Sequence, residues 1–414
     1  MALAAILLAG CSTHYGVSRI RVQHSLVGPE AETFRRMVEL FNQEHNGKVQ
    51  VEATYGGFSG YLRAKPPVRN EPSRPDVILY SASQVPAAVA RGAVEPLDEL
   101  AQREEFNAKD LLDAAREPVL IEGKLYAVPL DGYSLALFYN VKAVEQAGLN
   151  PGKPPSSRED LLAWAKTLTA DTDGDGKVDR CGLAIPADNV VTARIWYSWF
   201  CQNGGRFLDS SGRKCQVNSP QGVQALQFAV DLARAAESPP GESDPEKDFA
   251  AGRAAMILQG PWAISEFAAR DGLRFRTARF PTVFGKPAVW AGEHCFSVSK
   301  QAEVSQKRAA MVFIKWMSDK SWMWAQSGQI PARKSILKSK KFTGSPIYAH
   351  QKPFIDQLSG TVQSPAAPAL AEVFGETGRG PLAPNIEAAM SGRESPKQAL
   401  DAAAAEVDRL LAKR

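Results

Sequence analysis

The sequence predicts an α/β protein built as two domains with parallel-type sheets. Three observations carry this. The chain has 414 residues, more than one hydrophobic core usually organises, so two domains are expected. Asp76 to Tyr80 (DVILY) is a continuous apolar run, the pattern of a strand covered by helices on both faces. Strand-like and helix-like stretches alternate through the first half, as they do where helices cover a mostly parallel sheet.

Taken in order, Arg19 to Val22 reads as the first strand. Glu30 to Glu44 places Phe34, Met37, Val38 and Phe41 at helical spacing. Val49 to Ala53 alternates as a strand. After the DVILY strand, Leu137-Phe138-Tyr139 reads as another, and Arg158 to Leu168 as a helix. Beyond Gly182, aromatic residues gather at Trp196, Tyr197, Trp199 and Phe200. A helix is predicted from Val223 to Ala236, stopped at Ser238-Pro239-Pro240-Gly241 because Pro lacks the backbone donor. Ala254 to Leu258 is an apolar strand ending at Gly260-Pro261-Trp262. Val289 to Val298 reads as one further strand, and Lys307 to Met317 as a helix. Ser395 to Leu411 is an amphipathic helix after a Ser-Pro start, read as packing that closes the second domain.

Hydrophobic residues make up 44% and charged residues 23% of the chain, ordinary for a globular protein. The net charge is +4, and Lys and Arg form no long run. Nucleic-acid binding needs a clustered basic face, so that class is set aside. Met1 to Gly10 is apolar and Ala/Leu-rich, and ends in Leu8-Ala9-Gly10-Cys11. It is too short to span a bilayer and suits the apolar stretch of a secretory signal. Small residues before a Cys resemble the lipobox of bacterial lipoproteins. That implies cleavage before Cys11, lipidation of Cys11 and a polar tether through Gly16. The protein is then exported and lipid-anchored to a bacterial membrane, facing the periplasm or the cell exterior. Export permits disulfides. Cys201 and Cys215 flank a Gly-rich turn and could close a small loop, but spacing does not choose among pairings that also include Cys181 and Cys295. No Cys/His cluster has zinc spacing.

Several segments resemble family 1 of the bacterial extracellular solute-binding proteins, which includes maltose-binding and glycerol-3-phosphate-binding members. Pro75-Asp76-Val77-Ile78-Leu79-Tyr80 is similar to the family's PDVI-type strand. Tyr126-Ala127-Val128-Pro129 with Leu137-Phe138-Tyr139-Asn140 is similar to its YAVP…LFYN crossing. Ala254 to Trp262 resembles its AAM…GPW motif, and Gly328-Gln329-Ile330-Pro331-Ala332-Arg333 its Gly-x-x-Pro-x-Arg turn. The resemblance implies a two-lobed periplasmic-binding-protein fold. Its lobes are discontinuous, joined by two or three hinge crossings, with the ligand between them. The crossings fall near Asp131–Tyr133, Pro287–Gly292 and Gln329–Ser335. Lobe one would take residues 17–131 and 288–330, and lobe two 132–287 and 331–414. The resemblance also implies a monomer that binds a sugar or sugar-like molecule without turnover and delivers it to ABC-transporter permease subunits.

A sugar presents hydroxyls at its edge and C–H groups on its faces, so its site needs polar groups and a flat aromatic. Trp262 matches the family's stacking tryptophan. Tyr80 ends the DVILY strand, where open α/β sheets place ligand contacts; core packing is its alternative. Tyr133 and Ser134 lie on the first crossing with Asp131 beside them. In Tyr55-Gly56-Gly57-Phe58 the glycines would let backbone approach a ligand, and Tyr55 is the candidate contact. Gly292 matches the family's cleft glycine, and Glu293 after it is a candidate acceptor for sugar hydroxyls. Trp196 is chosen from its aromatic cluster as a cleft residue. Some relatives carry an Arg near Gln363-Ser364-Pro365; without it a phosphate loses a donor, which favours a neutral sugar.

Asp171-Thr172-Asp173-Gly174-Asp175-Gly176-Lys177-Val178-Asp179 has the DxDxDG start of a calcium loop. Asp171, Asp173, Asp175 and Asp179 are its candidate ligands for a structural calcium ion. Gly182 stands where the bidentate acid belongs, and an Asp/Gly surface turn is the other reading. No cofactor is otherwise required. Two other functions fit the residues. An exported glycoside-active enzyme would need two facing carboxylates, for which Glu293 and Asp131 are the pair. A binding protein serving a membrane sensor would carry the same site.

Overall fold

The structure, a computed structural model, describes residues 17–56, 74–185, 190–238, 244–365, 367–370, 373 and 380–412. Cys11 and its leader lie outside the described residues, as do Gly57 and Phe58. The chain opens with β1 (Ser18–His24), a helix over Gly28–Glu44, β2 (Val49–Tyr55) and β3 (Val77–Ser81). β1 lies between β2 and β3 and runs parallel to both. The helix buries Phe34, Met37, Val38 and Phe41, each worth roughly 1.5–3 kcal/mol when removed from water. All five residues of β3 are buried, as a doubly covered strand requires.

A hairpin of β4 (Leu120–Ile121) and β5 (Lys124–Leu125) precedes β6 (Val128–Pro129), β7 (Asp131–Ser134) and β8 (Ala136–Asn140). The later strands are β9 (Met256–Gln259), β10 (Phe275–Ala278), β11 (Val289–Gly292), β12 (His294–Val298), β13 (Ile330–Pro331) and β14 (Thr361–Gln363). The first sheet has the order β2-β1-β3-β12-β6. Pro129 sits on its edge, where a missing donor costs nothing. The second sheet, β10-β8-β9, is antiparallel throughout, which corrects the expectation of parallel-type pairing there. More than one helix separates β8 from β9, so no single-helix crossover imposes parallel pairing.

A third sheet, β13-β7-β11-β14, gathers the three predicted crossings side by side and adds a fourth segment. Here the expected strand Val289–Val298 proves to be two. It breaks at Glu293, with β11 in the third sheet and β12 in the first. One large core holds Ile20, Phe34, Phe296, Phe313 and Trp324. A second holds Leu137, Trp164, Trp199, Phe228 and Val407. Val289 and Trp290 pack in the second core, and Cys295 and Phe296 in the first. A smaller cluster around Phe138, Phe267 and Phe354 takes in Ile330.

The C-terminal helix spans Pro396–Leu411, opened by a capping box between Ser395 and Gln398. It buries Leu400, Ala403, Val407 and Leu411, so it is a packing helix. Cys181, Cys201, Cys215 and Cys295 form no disulfide with one another, so the Cys201–Cys215 closure that the spacing left open is not made. Backbone bonds close that loop instead: Gly205 N to Phe200 O at 2.9 Å, Asp209 N to Lys214 O at 2.9 Å and Gln216 N to Phe207 O at 2.8 Å. Burial pushes the Cys181 thiol up to about 12, which makes it a packing residue and a poor nucleophile.

Candidate functional site

The sheet of crossings fixes the site's geometry. Gly292 pairs with Tyr133 and Ala291 with Ser134 across antiparallel β11 and β7. Ala291 also pairs with Gln363 of parallel β14, and Ile330 with Gly132. Successive strand residues point to opposite faces, so Tyr133, Trp290 and Gly292 share one face.

That face is aromatic. Trp262, in the short helix Pro261–Ala263 after β9, meets Tyr133 edge-on with centroids 5.8 Å apart. Tyr133 lies 5.7 Å from Trp290 and 5.0 Å from the His294 ring. Glycines make this packing possible. A Cβ on Gly260 would come within 2.0 Å of the Trp262 ring, and one on Gly292 within 2.7 Å of Tyr133. Both rings therefore lie against bare backbone. Arg194, from the helix Val190–Gln202, sits 4.1 Å above the Trp290 ring, a cation–π contact. Trp290 donates its indole N–H to Ser364 Oγ at 3.0 Å. A hydrogen bond from Trp262 opposes the burial that raises Glu246.

Beneath the aromatics, Asp131 is fully buried and ties the crossings together. Its carboxylate accepts from His294 N at 2.7 Å, His294 Nδ1 at 2.8 Å and Trp324 Nε1 at 2.7 Å. Three donors on one carboxylate offset its desolvation. Glu293 is also buried, and its Oε1 accepts from Gln363 Nε2 at 2.6 Å. Burial, reinforced by the Asp131 charge, pushes the Glu293 carboxyl well above the usual range.

The remaining sequence-predicted residues are placed differently. Tyr80 is a core residue: it is 2% exposed, and its hydroxyl reaches Ser297 Oγ at 2.9 Å. Trp196 corrects the expectation of a cleft aromatic. It is 0% exposed, stacks on Phe200 at 5.3 Å and donates to Gly222 O at 3.1 Å. Its helix is buried on nearly every side, so helical spacing does not single out a cleft face. Ser134 accepts from Gln357 Nε2 at 2.9 Å inside the sheet. Tyr55 ends β2 at 71% exposure, apart from the aromatic cluster but at the same sheet end as His24.

Trp290, His294 and Trp324 belong to the cluster at the crossings, and sequence reasoning passed them over. Trp290 and His294 flank Gly292 at alternating positions, and that period-2 signal would have found them. Trp324 had no sequence signal. A cavity of about 560 Å³ opens beside the starts of β11 and β14, lined by Pro154, Phe280, Pro287, Gln357 and Gly360. None of the aromatics above lines it.

In the Asp/Gly loop, carboxylate oxygens of Asp171, Asp173 and Asp179 lie within 4.8 Å of one another, all exposed. Asp175 is not among the three, and its Oδ1 accepts from Lys177 N at 2.8 Å. Backbone donors at Gly176 and Thr172 hold the Asp171 and Asp179 carboxyls below the usual range. Three converging carboxylates fit a hard cation in part, short of the usual six to eight oxygens.

The comparisons agree with this architecture. Residues 36–350 match the family model for bacterial extracellular solute-binding proteins. The galactooligosaccharide-binding protein of Bacillus subtilis is 24% identical over 379 residues, covering 89% of this chain and 84% of that protein. The maltotriose-binding protein of Pyrococcus abyssi is 23% identical over 288 residues, which cover 66% of this chain and 58% of that relative's length. Among solved structures, the GacH receptor of Streptomyces glaucescens superposes with a TM-score of 0.80 at 22% identity, covering 96% of this chain and 99% of that one. At that identity the likeness shows a shared fold.

Proposed function

The chain belongs to the bacterial extracellular solute-binding proteins, and on that premise we propose that it is the substrate-binding component of an ABC importer, taking a sugar or oligosaccharide at the aromatic face of the crossings. The observation that carries this is the convergence of Trp262, Tyr133 and Trp290 over the bare backbone of Gly260 and Gly292. Flat rings suit the C–H faces of a sugar, and nearby amide and hydroxyl groups suit its edge. Relatives that bind maltotriose and galactooligosaccharide support a carbohydrate. The neutral side chains of Gln363 and Ser364 support an uncharged one.

Binding without turnover belongs to the same proposal. Asp131 spends its carboxylate on three donors, and Glu293 is turned to Gln363. A hydrolase would hold such a pair open toward the sugar. Export, a lipid anchor at Cys11, a monomeric state and delivery to permease subunits are the remaining parts. The test is titration of the lipid-free protein with a sugar panel under tryptophan fluorescence and thermal shift. The expected result is a saturable response, a melting temperature that rises with ligand concentration, and sugar recovered intact. Released products, or no response to any sugar, overturn the proposal.

A further inference from the structure

We propose that Glu293 works as an uncharged clasp, holding β14 against β11 so that Trp290 and Ser364 are positioned at the site. Glu293 stands at the break between β11 and β12 and is 2% exposed. Its backbone carbonyl accepts from Ala82 N at 3.0 Å, which pins this point to the end of β3. Its Oε1 accepts from Gln363 Nε2 at 2.6 Å, while Oε2 is buried with no hydrogen-bond partner. Among the described residues no Lys or Arg forms an ion pair with it.

The surroundings cannot support a charge. A cavity of about 20 Å³ borders Glu293, lined by Gly132, Ser134, Ala291, Phe354, Leu358 and Thr361, room for about one water. The charged groups that reach it are Asp131 from β7, which disfavours ionisation, and His294 from β12, which favours it weakly. The helical stretch around Leu112 and Ala115 and that around Phe354 present apolar groups. A buried carboxylate with one orphan oxygen and no cation pays its full desolvation cost, so the protonated form is the one that fits. Its acceptor oxygen then serves Gln363, and the oxygen without a partner carries the proton.

The clasp reaches the site through β14. Gln363 pairs with Ala291, and its carbonyl accepts from Tyr197 Oη at 3.1 Å. The next residue, Ser364, takes the Trp290 indole N–H. Glu293 thereby fixes the strand end that sets the Trp290 ring. The positioning role rests on the binding proposal above. The uncharged state does not, and the experiments use ligand-free protein, so their failure is separate from a failure of sugar binding.

The unfolded chain ionises this group near about pH 4.3, whereas the fold keeps its proton. Its stabilising contribution is therefore full at acid pH and is lost as pH rises toward the folded value. Glu293→Gln keeps the shape and the neutral charge. It should match wild type below about pH 4.3 and gain in melting temperature relative to it as pH rises. The infrared difference between wild type and this variant at neutral pH should show the stretch of one protonated carboxyl. Parallel pH profiles, or a carboxylate signal in place of that stretch, overturn the uncharged state. Glu293→Ala should shift tryptophan emission in the wild-type background and not in Trp290→Phe. Equal shifts in both backgrounds overturn the positioning role. If Glu293→Ala does not fold, Gln363→Ala replaces it in the same comparison.

Discussion

Trp262 rests its ring on the backbone of Gly260 and meets the edge of Tyr133, and it is partly buried. Trp196 has the same side chain, wholly enclosed, with its N–H already bonded to Gly222 O. The two should separate cleanly on truncation. Trp262→Ala is expected to weaken sugar affinity by about 1–3 kcal/mol while leaving the fold intact. Trp196→Ala is expected to cost about 3–5 kcal/mol of stability through the cavity it leaves, with little change in the affinity of the molecules that remain folded. Calorimetric titration and urea unfolding of both variants check this. An unchanged affinity for Trp262→Ala removes that residue from the site.

Among the elements, the sheet of crossings is held by very short strands. β13 has two residues and β14 three, so side-chain bonds at Asp131 and Glu293 do much of the joining. The break at Glu293 was hidden in the sequence because Val289 to Val298 is apolar on both sides of it. Strand pattern reports burial, and both halves are buried, each in a different sheet. The Asp/Gly loop is a separate case. Its converging carboxylates predict that millimolar calcium raises the melting temperature of wild type and not of Asp173→Asn, because binding only the fold stabilises it. No rise in wild type would leave the loop as an Asp/Gly turn closed by its own amides.

For the whole molecule, two large cores meet at one small sheet, with the aromatic face at their junction. Short crossings between large rigid cores are a hinge in the mechanical sense. Small-angle scattering is expected to show a smaller radius of gyration with saturating sugar than without, since ligand contacts to both units favour the closed form. An unchanged radius would mean that the ligand-free protein already holds the binding geometry.

The sequence by itself determined the α/β character, the course of most elements, the crossing positions and the choice of Trp262, Tyr133 and Gly292 as candidates, which the structure brings together. Those depend on local period, turn residues and motif order, which the chain carries in place. Tertiary structure alone decided that Tyr80 and Trp196 are core, that Asp131 and Glu293 face inward, that the four described cysteines form no disulfide with one another and that Trp324 bonds to Asp131. The physical reason is that an aromatic ring or a carboxyl looks the same in sequence whether it ends in a core or at a groove. Burial and partners come from segments far apart: Trp324 reaches Asp131 across 193 positions, and Gln363 reaches Glu293 across 70.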